Sequence, residues 1–396
     1  MIRKSGNRFS SGQTRSVCPE IMLKQMSKPA KNLLRFLGTS GLVMLLAVAL
    51  NFTVDPLQLF RPARLFAAMY SQDSRMQDAG LIRSQDFDAV FMGTSLAIHF
   101  RQSDLDRVLG VHSLKLSLNG STSVEQNFVL AAALERHPKR VLWEMDDWIF
   151  RDGPDIDSNV YVPADLYRRN ARGFASYLFS GSMARESAWI LARSIPLIEK
   201  PVAWLTTGVL FKFPISRVDD INVLHPGFDV AGTYNAKKAM AAFRHVTDPV
   251  RSAYLADGAD YDMRVRNFER DMVGLIASHP DVTFEIYYPP YSILQWVAMR
   301  DASPQTFEQV YNFTAYVSRR LMSFPNVRLY DFREAKDVTH DLNNYADVIH
   351  HSPTIDLKVL SWLAEGKYLV DRGAPTASLD RLKEQMEAYR IGEAER

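Results

Sequence analysis

The chain of 396 residues has a single cysteine, Cys18, and almost no excess of charge of either sign. One cysteine excludes an intramolecular disulfide framework and a cysteine-rich metal site. The 47 Lys and Arg residues are nearly balanced by 45 Asp and Glu residues, so the charge gives no reason to expect nucleic acid as a partner. The sequence also lacks internal repeats, low-complexity tracts and the H-E-x-x-H pattern of zinc hydrolases. What is left is an ordinary globular composition, for which we expect no cofactor and no metal ion.

One long uncharged hydrophobic run is present, at residues 36–54, and its 19 residues come close to the length that crosses a bilayer. The first 35 residues carry eight Lys or Arg residues and one acid, which keeps this side cytoplasmic by the positive-inside rule. We therefore expect a single-pass anchor in a bacterial inner membrane, with the rest of the chain on the periplasmic or extracytoplasmic side. A cleaved signal peptide and a buried core helix are the alternatives; the first lacks a good cleavage site, and the second leaves the basic cluster unexplained.

Beyond this run, short apolar segments alternate with helical ones. Such an alternation implies βα units and a mainly parallel sheet that helices cover on both faces. The predicted fold class is α/β, with three α/β/α layers. The predicted strands are 88–93, 113–118, 140–146, 282–288 and 327–331. The predicted helices are 123–137, 262–278, 304–322 and 354–366.

The stretch AVFMGTS, residues 89–95, ends a predicted strand abruptly at Gly-Thr-Ser. Gly93 permits a tight turn, and a serine that follows such a strand is exposed at the carboxyl edge of the sheet, where ligands bind. Ser95 is therefore a candidate nucleophile, although the G-x-S-x-G pattern of α/β hydrolases is absent. A serine that merely forms a turn or caps a helix is the commoner state of such a triplet.

A second candidate lies near the C-terminus, in NYADVIHHSPTID, residues 344–356. Asp347 and His350 stand three residues apart, so the carboxylate can accept a hydrogen bond from the imidazole and leave its other nitrogen to deprotonate a serine. The pair can equally tie down a loop, and His351 is an alternative for the functional histidine. A metal site made of Asp347, His350, His351 and His340 is a further alternative.

A third block, LSLNGSTS at residues 116–123, follows the second predicted strand. Asn119 offers a side-chain amide and Gly120 an unobstructed backbone N–H. Either group would stabilise an oxyanion beside Ser95 if the two strands are neighbours. An Asn-Gly turn before a helix explains the same residues without a function.

In chain order, these blocks resemble the SGNH (GDSL-like) hydrolase superfamily. In that family a serine follows the first strand, a glycine the second and an asparagine the third, and a D-x-x-H motif near the C-terminus completes a triad. The resemblance implies that Ser95 is the nucleophile, His350 the general base and Asp347 its orienting acid. It also implies an oxyanion hole made of the N–H groups of Ser95 and Gly120.

The resemblance covers roughly residues 88–150 and 282–366, and it includes departures from the family pattern. Thr94 replaces the middle residue of G-D-S, which leaves the nucleophile intact. In the third block, EMDD at residues 144–147, Asp146 stands where a donating asparagine is expected. An ionised carboxylate cannot donate to an oxyanion, so either Asp146 is protonated, the Asn-Gly block supplies the amide, or the hole has two donors.

Acidic and aromatic side chains follow the third and fourth predicted strands, in DDWIF and YYPPYS. At a carboxyl edge they would form the rim of a sugar- or acyl-binding cleft, although packing roles explain them equally well. The predicted substrate-binding residues are Asp146, Asp147, Trp148, Tyr288, Tyr291 and His351.

The sequence predicts five parts along the chain. They are a basic cytoplasmic tail at 1–35, a transmembrane helix at 36–54, a membrane-exit segment at 55–87, an SGNH-like catalytic domain at 88–150 and 261–396, and a mostly helical cap or insertion at 151–260.

This layout resembles membrane-anchored SGNH-like proteins of bacterial envelopes. Relatives of that type act in the acylation of alginate, other exopolysaccharides or teichoic acids, often beside a multi-spanning acyltransferase. The resemblance implies a serine-dependent O-acyltransferase or esterase that acts on an envelope glycan or lipid. A catalytically weak accessory protein that binds polysaccharide or a membrane acyltransferase is the main alternative, and metal-dependent hydrolysis through His350 and His351 is a third.

Overall fold

The computed structural model describes most of the chain between the N-terminal tail and the C-terminus. The described residues are 27–66, 68, 70–71, 74–194, 217–218, 232–247 and 260–392. Most of the predicted tail and part of the predicted insertion, including residues 195–216, 219–231 and 248–259, lie outside them.

A five-stranded, fully parallel sheet forms the centre of the fold. The strands lie in the order β2-β1-β3-β4-β5, a common order of doubly wound sheets. All five predicted strands are confirmed, with ends within two residues of the predicted ones. The strands are β1 (Ala89–Gly93), β2 (Ser113–Ser117), β3 (Arg140–Glu144), β4 (Thr283–Tyr288) and β5 (Val327–Asp331). A separate antiparallel pair of two-residue strands joins Tyr70–Ser71 to Arg217–Val218.

The helices confirm the predicted α/β class, and each helix predicted from the sequence is present. The α-helices of eight or more residues in the described ranges are α1 (Lys28–Val54), α2 (Ser74–Ser84), α3 (Gln102–Leu109), α4 (Ser123–Leu134), α5 (Ala171–Leu178), α6 (Gly181–Ser194), α7 (Ala236–Thr247), α8 (Tyr261–Phe268), α9 (Ile293–Ala302), α10 (Pro304–Leu321), α11 (Pro353–Glu365) and α12 (Ala377–Ala388). Helix α8 continues through a π-turn, Glu269–Val273, into the short helix Gly274–Ser278.

The sheet is buried on both faces because successive side chains of each strand point to opposite sides. Val90 and Met92 of β1 pack in one core cluster, with apolar residues of α2, α4, α8 and α10. Phe91, between them, packs in a second cluster with α3 and α11. Continuous apolar strands such as AVFMG are what a sheet covered on both faces requires.

Helix α1 is long and apolar enough to cross a membrane, and the side chains of its most apolar window are not buried in the protein. It begins at Lys28, within the predicted tail, and contains the whole of the predicted span at 36–54. Its last turn is joined to the globular part, because the buried Asn51 donates hydrogen bonds to the carbonyls of Leu178 (2.9 Å) and Ser180 (3.2 Å).

The predicted membrane-exit segment packs into the protein from its first residues. Asp55 ends α1 in the left-handed conformation, with φ 51°, and its carboxylate accepts hydrogen bonds from the Tyr177 hydroxyl and the Leu59 N–H, both at 2.9 Å. Leu57 and Leu59 are buried in the main core. This segment is therefore an ordered connection between α1 and the sheet.

The described part of the predicted insertion is mostly helical. Helices α5 and α6 pack against the C-terminal half of α1. Helix α7 instead packs on α9, through Met240 and Phe243, near the carboxyl ends of the strands. The helices of this region therefore contact both the apolar N-terminal helix and the end of the sheet where the candidate residues lie.

Candidate active site

The candidate residues converge at the carboxyl end of the sheet. Strand β1 lies between β2 and β3, so the chain leaves β1 toward one side and later returns on the other. A crevice opens at such a reversal, and it is where ligands bind in doubly wound sheets. Strands β1, β2 and β3 all end at this edge of the sheet, and the segments that follow them begin there.

Ser95 begins a single 3₁₀ turn, Ser95–Ala97, directly after β1, and it is partly exposed. The turn fits only because residue 93 is glycine: a Cβ there would lie 2.6 Å from the Ala97 Cβ and 2.8 Å from Glu144 Oε2. Thr94 Oγ1 donates a hydrogen bond to Glu144 Oε1 at 3.2 Å. The nucleophile candidate thus rests on a tight turn that is tied to the neighbouring strand.

The structure brings Ser95, His350 and Asp347 together. The Ser95 Oγ lies 3.0 Å from His350 Nε2, and His350 Nδ1 lies 2.6 Å from Asp347 Oδ2. When the Nδ1 proton is donated to Asp347, Nε2 is left as the acceptor for the serine hydroxyl. These contacts are the hydrogen-bond pattern of a nucleophile, its base and the acid that orients the base.

The Asp347 carboxylate is held by its own loop as well as by the imidazole. Its Oδ1 accepts hydrogen bonds from the N–H groups of Ile349 and His350, both at 2.8 Å. Burial alone would raise the pKa of Asp347, but the hydrogen bond and charge of His350, with these two N–H groups, lower the pKa below its ordinary value. Asp347 is therefore stabilised as the anion that orienting the histidine requires.

The loop that carries His350 is fixed from outside by a tyrosine that the sequence did not single out. The buried Tyr345 hydroxyl donates to the Pro290 carbonyl at 2.6 Å, which joins this loop to the segment after β4. Within the loop, Tyr345 and His351 form an antiparallel bridge, and the Ala346 N–H donates to the His350 carbonyl at 2.9 Å. The histidine is consequently presented by a hydrogen-bonded hairpin-like loop.

Asn119 and Gly120 are exposed beyond the end of β2, which is the direct neighbour of β1. Gly120 has φ 60°, and no atom lies within 4 Å of the place that a Cβ would take. The Gly120 carbonyl accepts a hydrogen bond from Arg151 Nη2 at 2.9 Å. The Asn119 carbonyl accepts one from Arg75 Nη2 at 3.0 Å. Arginines therefore fix this turn from its carbonyl side.

Asp146 lies at the site and is buried beside the candidate base. Its Oδ1 accepts a hydrogen bond from the Trp148 N–H at 3.0 Å. Burial raises the pKa of Asp146, while the neighbouring Tyr291 hydroxyl, the Trp148 N–H and the charge of His350 act in the opposite direction. Burial and the Asp146 charge, in turn, raise the pKa of Tyr291. The residue that departs from the family pattern is thus close enough to His350 for the two charges to interact.

Asp147 and Tyr288, expected at the substrate rim, lie in the interior. Asp147 Oδ2 is 3.4 Å from Arg333 Nη1, and its Oδ1 accepts a hydrogen bond from the Thr314 hydroxyl at 3.4 Å. The Arg333 guanidinium stacks 3.6 Å from the Tyr288 ring centroid. Burial raises the pKa of Asp147 to about 6 despite Arg333. Both side chains are therefore buried interior residues rather than residues of the rim.

Trp148 is partly buried, and the guanidinium of Arg264 lies over its ring, 5.4 Å from the ring centroid.

His351 is turned away from the triad: it is buried, and its Nδ1 lies 3.1 Å from Asp356 Oδ1. His340 packs against Tyr389, and burial lowers the pKa of His340 to about 4. The four residues proposed as alternative metal ligands therefore do not form one cluster.

Glu144 is a further residue that the motifs did not reveal. It is fully buried at the end of β3, and burial together with the Asp146 charge raises its pKa well above the ordinary value. It accepts the Thr94 hydroxyl hydrogen bond, so it bears on the turn that presents Ser95. Glu144 is the first residue of EMDD, but nothing in the sequence around it indicates that its side chain is buried against the turn that carries Ser95.

The triad-like hydrogen bonds are the strongest guide to what this site does. Serine, histidine and aspartate in this order of contacts are suited to acyl transfer, because the base removes the hydroxyl proton as the oxygen attacks a carbonyl. No protein-family model matches the chain, and no curated protein matches it at a significant level. The side chains themselves therefore carry the functional interpretation.

Proposed function

We propose that the protein is a serine-dependent acyl-ester enzyme, an esterase or O-acyltransferase, that acts through Ser95, His350 and Asp347. The observation that carries this proposal is the continuous hydrogen-bonded relay from Ser95 Oγ (3.0 Å) through His350 to Asp347 Oδ2 (2.6 Å). Ser95 and His350 are 255 positions apart in the chain, so local chain geometry does not account for their contact.

In the proposed reaction, the Ser95 oxygen attacks the acyl carbonyl of an ester while His350 Nε2 accepts the hydroxyl proton. The tetrahedral intermediate collapses, the ester C–O bond breaks, and His350 returns the proton to the departing alcohol. Water or a sugar hydroxyl then gives its proton to His350 and attacks the acyl-enzyme. The second collapse releases an acid or a new ester and restores the Ser95 hydroxyl.

The oxyanion of both intermediates is assigned to the backbone N–H groups of Ser95 and Gly120. The positions of the two residues support this assignment, since they follow adjacent strands at the same sheet edge. The open space around Gly120 leaves room for a substrate oxygen. Asn119 provides an amide next to Gly120, and a protonated Asp146 would provide a third donor.

The proposed family is the SGNH hydrolase superfamily. The strand order, the serine after β1 and the D-x-x-H loop before the last sheet-covering helix support this assignment. The proposed site of action is the outer face of a bacterial inner membrane, with α1 as the anchor and the basic N-terminal residues in the cytoplasm. The proposed substrates are acyl esters of an envelope glycan or lipid, with a multi-spanning acyltransferase as the partner.

A second candidate function is favoured by one observation, the buried Asp146 beside His350. An ionised carboxylate where an oxyanion develops opposes the reaction, and loss of one oxyanion donor costs about 2.7–4 kcal/mol of transition-state stabilisation. In that case the protein is a catalytically weak accessory subunit that binds a glycan or the membrane acyltransferase.

Hydrolysis of p-nitrophenyl acetate by the detergent-solubilised full chain tests the proposal. We expect Ser95→Ala to lose all activity above background, and a fluorophosphonate probe to label wild-type Ser95 in a mass-spectrometric peptide map. The matched control is Ser323→Ala, which changes an exposed serine bonded to its own helix end and should leave both signals intact. Equal activity of Ser95→Ala and the wild type would remove Ser95 from the reaction, and an inactive, unlabelled wild type would favour the accessory function.

A further inference from the structure

Three buried side chains outside the proposed reaction lie together behind the triad: His99, His351 and Asp356. One possible ligand atom from each lies within 4.8 Å of the other two. His351 Nδ1 is 3.1 Å from Asp356 Oδ1. A tetrahedral zinc ion with bonds of about 2.0–2.1 Å holds neighbouring ligands about 3.3 Å apart. Small side-chain movements would therefore bring all three groups to one ion.

The donor set suits a transition metal. Two imidazoles and one carboxylate are a ligand set of catalytic zinc sites, in which water takes the fourth position. Asp356 is 4% exposed, and its Oδ2 makes no hydrogen bond to any described residue. A buried carboxylate of this kind is costly without a cation. The charge of Lys115 acts on Asp356 from a distance, while its ammonium group donates to the carbonyls of Ile98 and Phe100, at 3.1 and 2.8 Å.

Space for the ion and for an added water ligand is present. A cavity of about 220 Å³ is lined by His99, Asp104 and Asp356, among others, and opens toward solvent. The Asp104 carboxylate acts on Asp356 as a second negative charge. The cavity thus connects two of the three proposed ligands, His99 and Asp356, to the outside.

We propose that His99, His351 and Asp356 bind one divalent transition-metal ion, with Zn²⁺ as the best match. The three ligands belong to the segment after β1, the His350 loop and helix α11. The ion would thus cross-link the segment that carries Ser95 to the loop that carries His350. This stiffening of the site rests on the proposed function, whereas the metal binding itself does not.

Equilibrium dialysis of the full chain against Zn²⁺ alone, followed by metal analysis, tests the site. We expect about one Zn²⁺ per wild-type chain, and at least tenfold weaker binding after Asp356→Asn or His99→Asn. Zn²⁺ should also raise the thermal midpoint of the wild type but not of these variants. The controls are His112→Asn, at an exposed histidine, and Ser95→Ala, and both should keep the wild-type stoichiometry.

A Co²⁺-loaded wild type provides a readout that needs no variant, because tetrahedral nitrogen and oxygen ligation gives intense visible absorption. The proposal is wrong if the wild type binds no Zn²⁺ or gives only octahedral Co²⁺ absorption. It is equally wrong if folded Asp356→Asn retains full binding. If His350→Gln loses the bound metal while His351→Asn retains it, the metal binds the triad histidine and the proposed ligand set is wrong. If the wild type binds Zn²⁺ as expected but shows no Ser95-dependent ester hydrolysis, only the proposed function is contradicted.

Discussion

Asp146 is the single residue whose chemical state most affects the proposed reaction. Its carboxylate is buried next to His350 and accepts the Trp148 N–H with one oxygen. An asparagine at this position could keep that hydrogen bond through its oxygen and turn its amide toward the site. The difference between asparagine and the ionised form of Asp146 is therefore one oxyanion donor and one negative charge.

We expect Asp146→Asn to increase kcat/KM for p-nitrophenyl acetate by about 100-fold, since one added oxyanion donor is worth about 10²–10³ in rate. Steady-state kinetics in detergent at neutral pH measure this effect. An unchanged rate would mean that Asp146 is protonated and already donates, or that the oxyanion lies elsewhere. A lower rate would mean that the Asp146 charge assists the reaction.

Asp147 predicts a pH dependence of stability. Burial raises its pKa from 3.8 to about 6, so the folded chain holds this proton more tightly than the unfolded chain. The resulting stability is fully present below pH 3.8 and is lost as the pH rises through about 6, with an upper limit of about 3 kcal/mol. We therefore expect Asp147→Asn to gain thermal stability relative to the wild type between pH 4 and pH 7.

Thermal midpoints measured at one-unit pH intervals test this prediction. Asp86→Asn is the control, because the Asp86 side chain is 97% exposed, and it should follow the wild-type pH dependence. A constant difference between Asp147→Asn and the wild type at every pH would show that Arg333 compensates the buried charge completely.

The sequence predicted the residues whose role depends on short-range patterns. Asp347 and His350 are three residues apart, and Ser95 follows an apolar strand, so local patterns identify each of them as a candidate, although not the contact between Ser95 and His350. It could not locate Tyr345, Glu144 or His99, whose contacts depend on which segments the fold brings together. Asp147 and Tyr288 were predicted as rim residues because the sequence does not reveal that Arg333, which follows β5, packs against both of them in the interior.

At the scale of elements, the turn after β1 depends on one glycine. A Cβ at Gly93 would lie 2.6 Å from the Ala97 Cβ and within 3.0 Å of the Glu144 side chain, closer than real Cβ contacts. Gly274, at the start of the last segment of the α8 region, has a conformation that alanine also adopts, and its nearest neighbour would be at 3.8 Å.

Gly93→Ala should lower the thermal midpoint and abolish activity, because the Ser95 turn must shift away from β3. Gly274→Ala is the matched control, and it should raise stability by about 0.5–1 kcal/mol, since glycine is unfavourable inside a helix. Thermal unfolding and ester hydrolysis of both variants measure these effects. Wild-type stability and activity in Gly93→Ala would mean that the turn is not tightly packed.

The five strands and the four helices that follow or precede them in the prediction were accessible because each is a short apolar run, an alternating segment or a helical segment of sufficient length. The strand order was not, since periodicity carries no information about which strands are neighbours. For residues 151–260 the sequence predicted helices but not the elements that they pack against. The structure shows that α5 and α6 pack against α1 and that α7 packs against α9.

At the scale of the whole molecule, the apolar exterior of α1 predicts a membrane-bound protein. We expect the chain to sediment with membranes after carbonate washing and to require detergent for release. An alkaline phosphatase fused after residue 66 should be active outside the cytoplasm, and one fused after residue 27 inactive. The reversed pattern would place the candidate site in the cytoplasm and exclude envelope glycans as substrates.

The Asn51 hydrogen bonds and the Asp55 cap have a consequence for the distance between the proposed active site and the membrane. These hydrogen bonds attach the globular part directly to the C-terminal end of α1, without a flexible linker between them. If α1 crosses a bilayer along the membrane normal, the candidate active site is held at a fixed height above the lipid surface and does not move down to it. Under the proposed function, a substrate has to reach that height above the membrane to be modified.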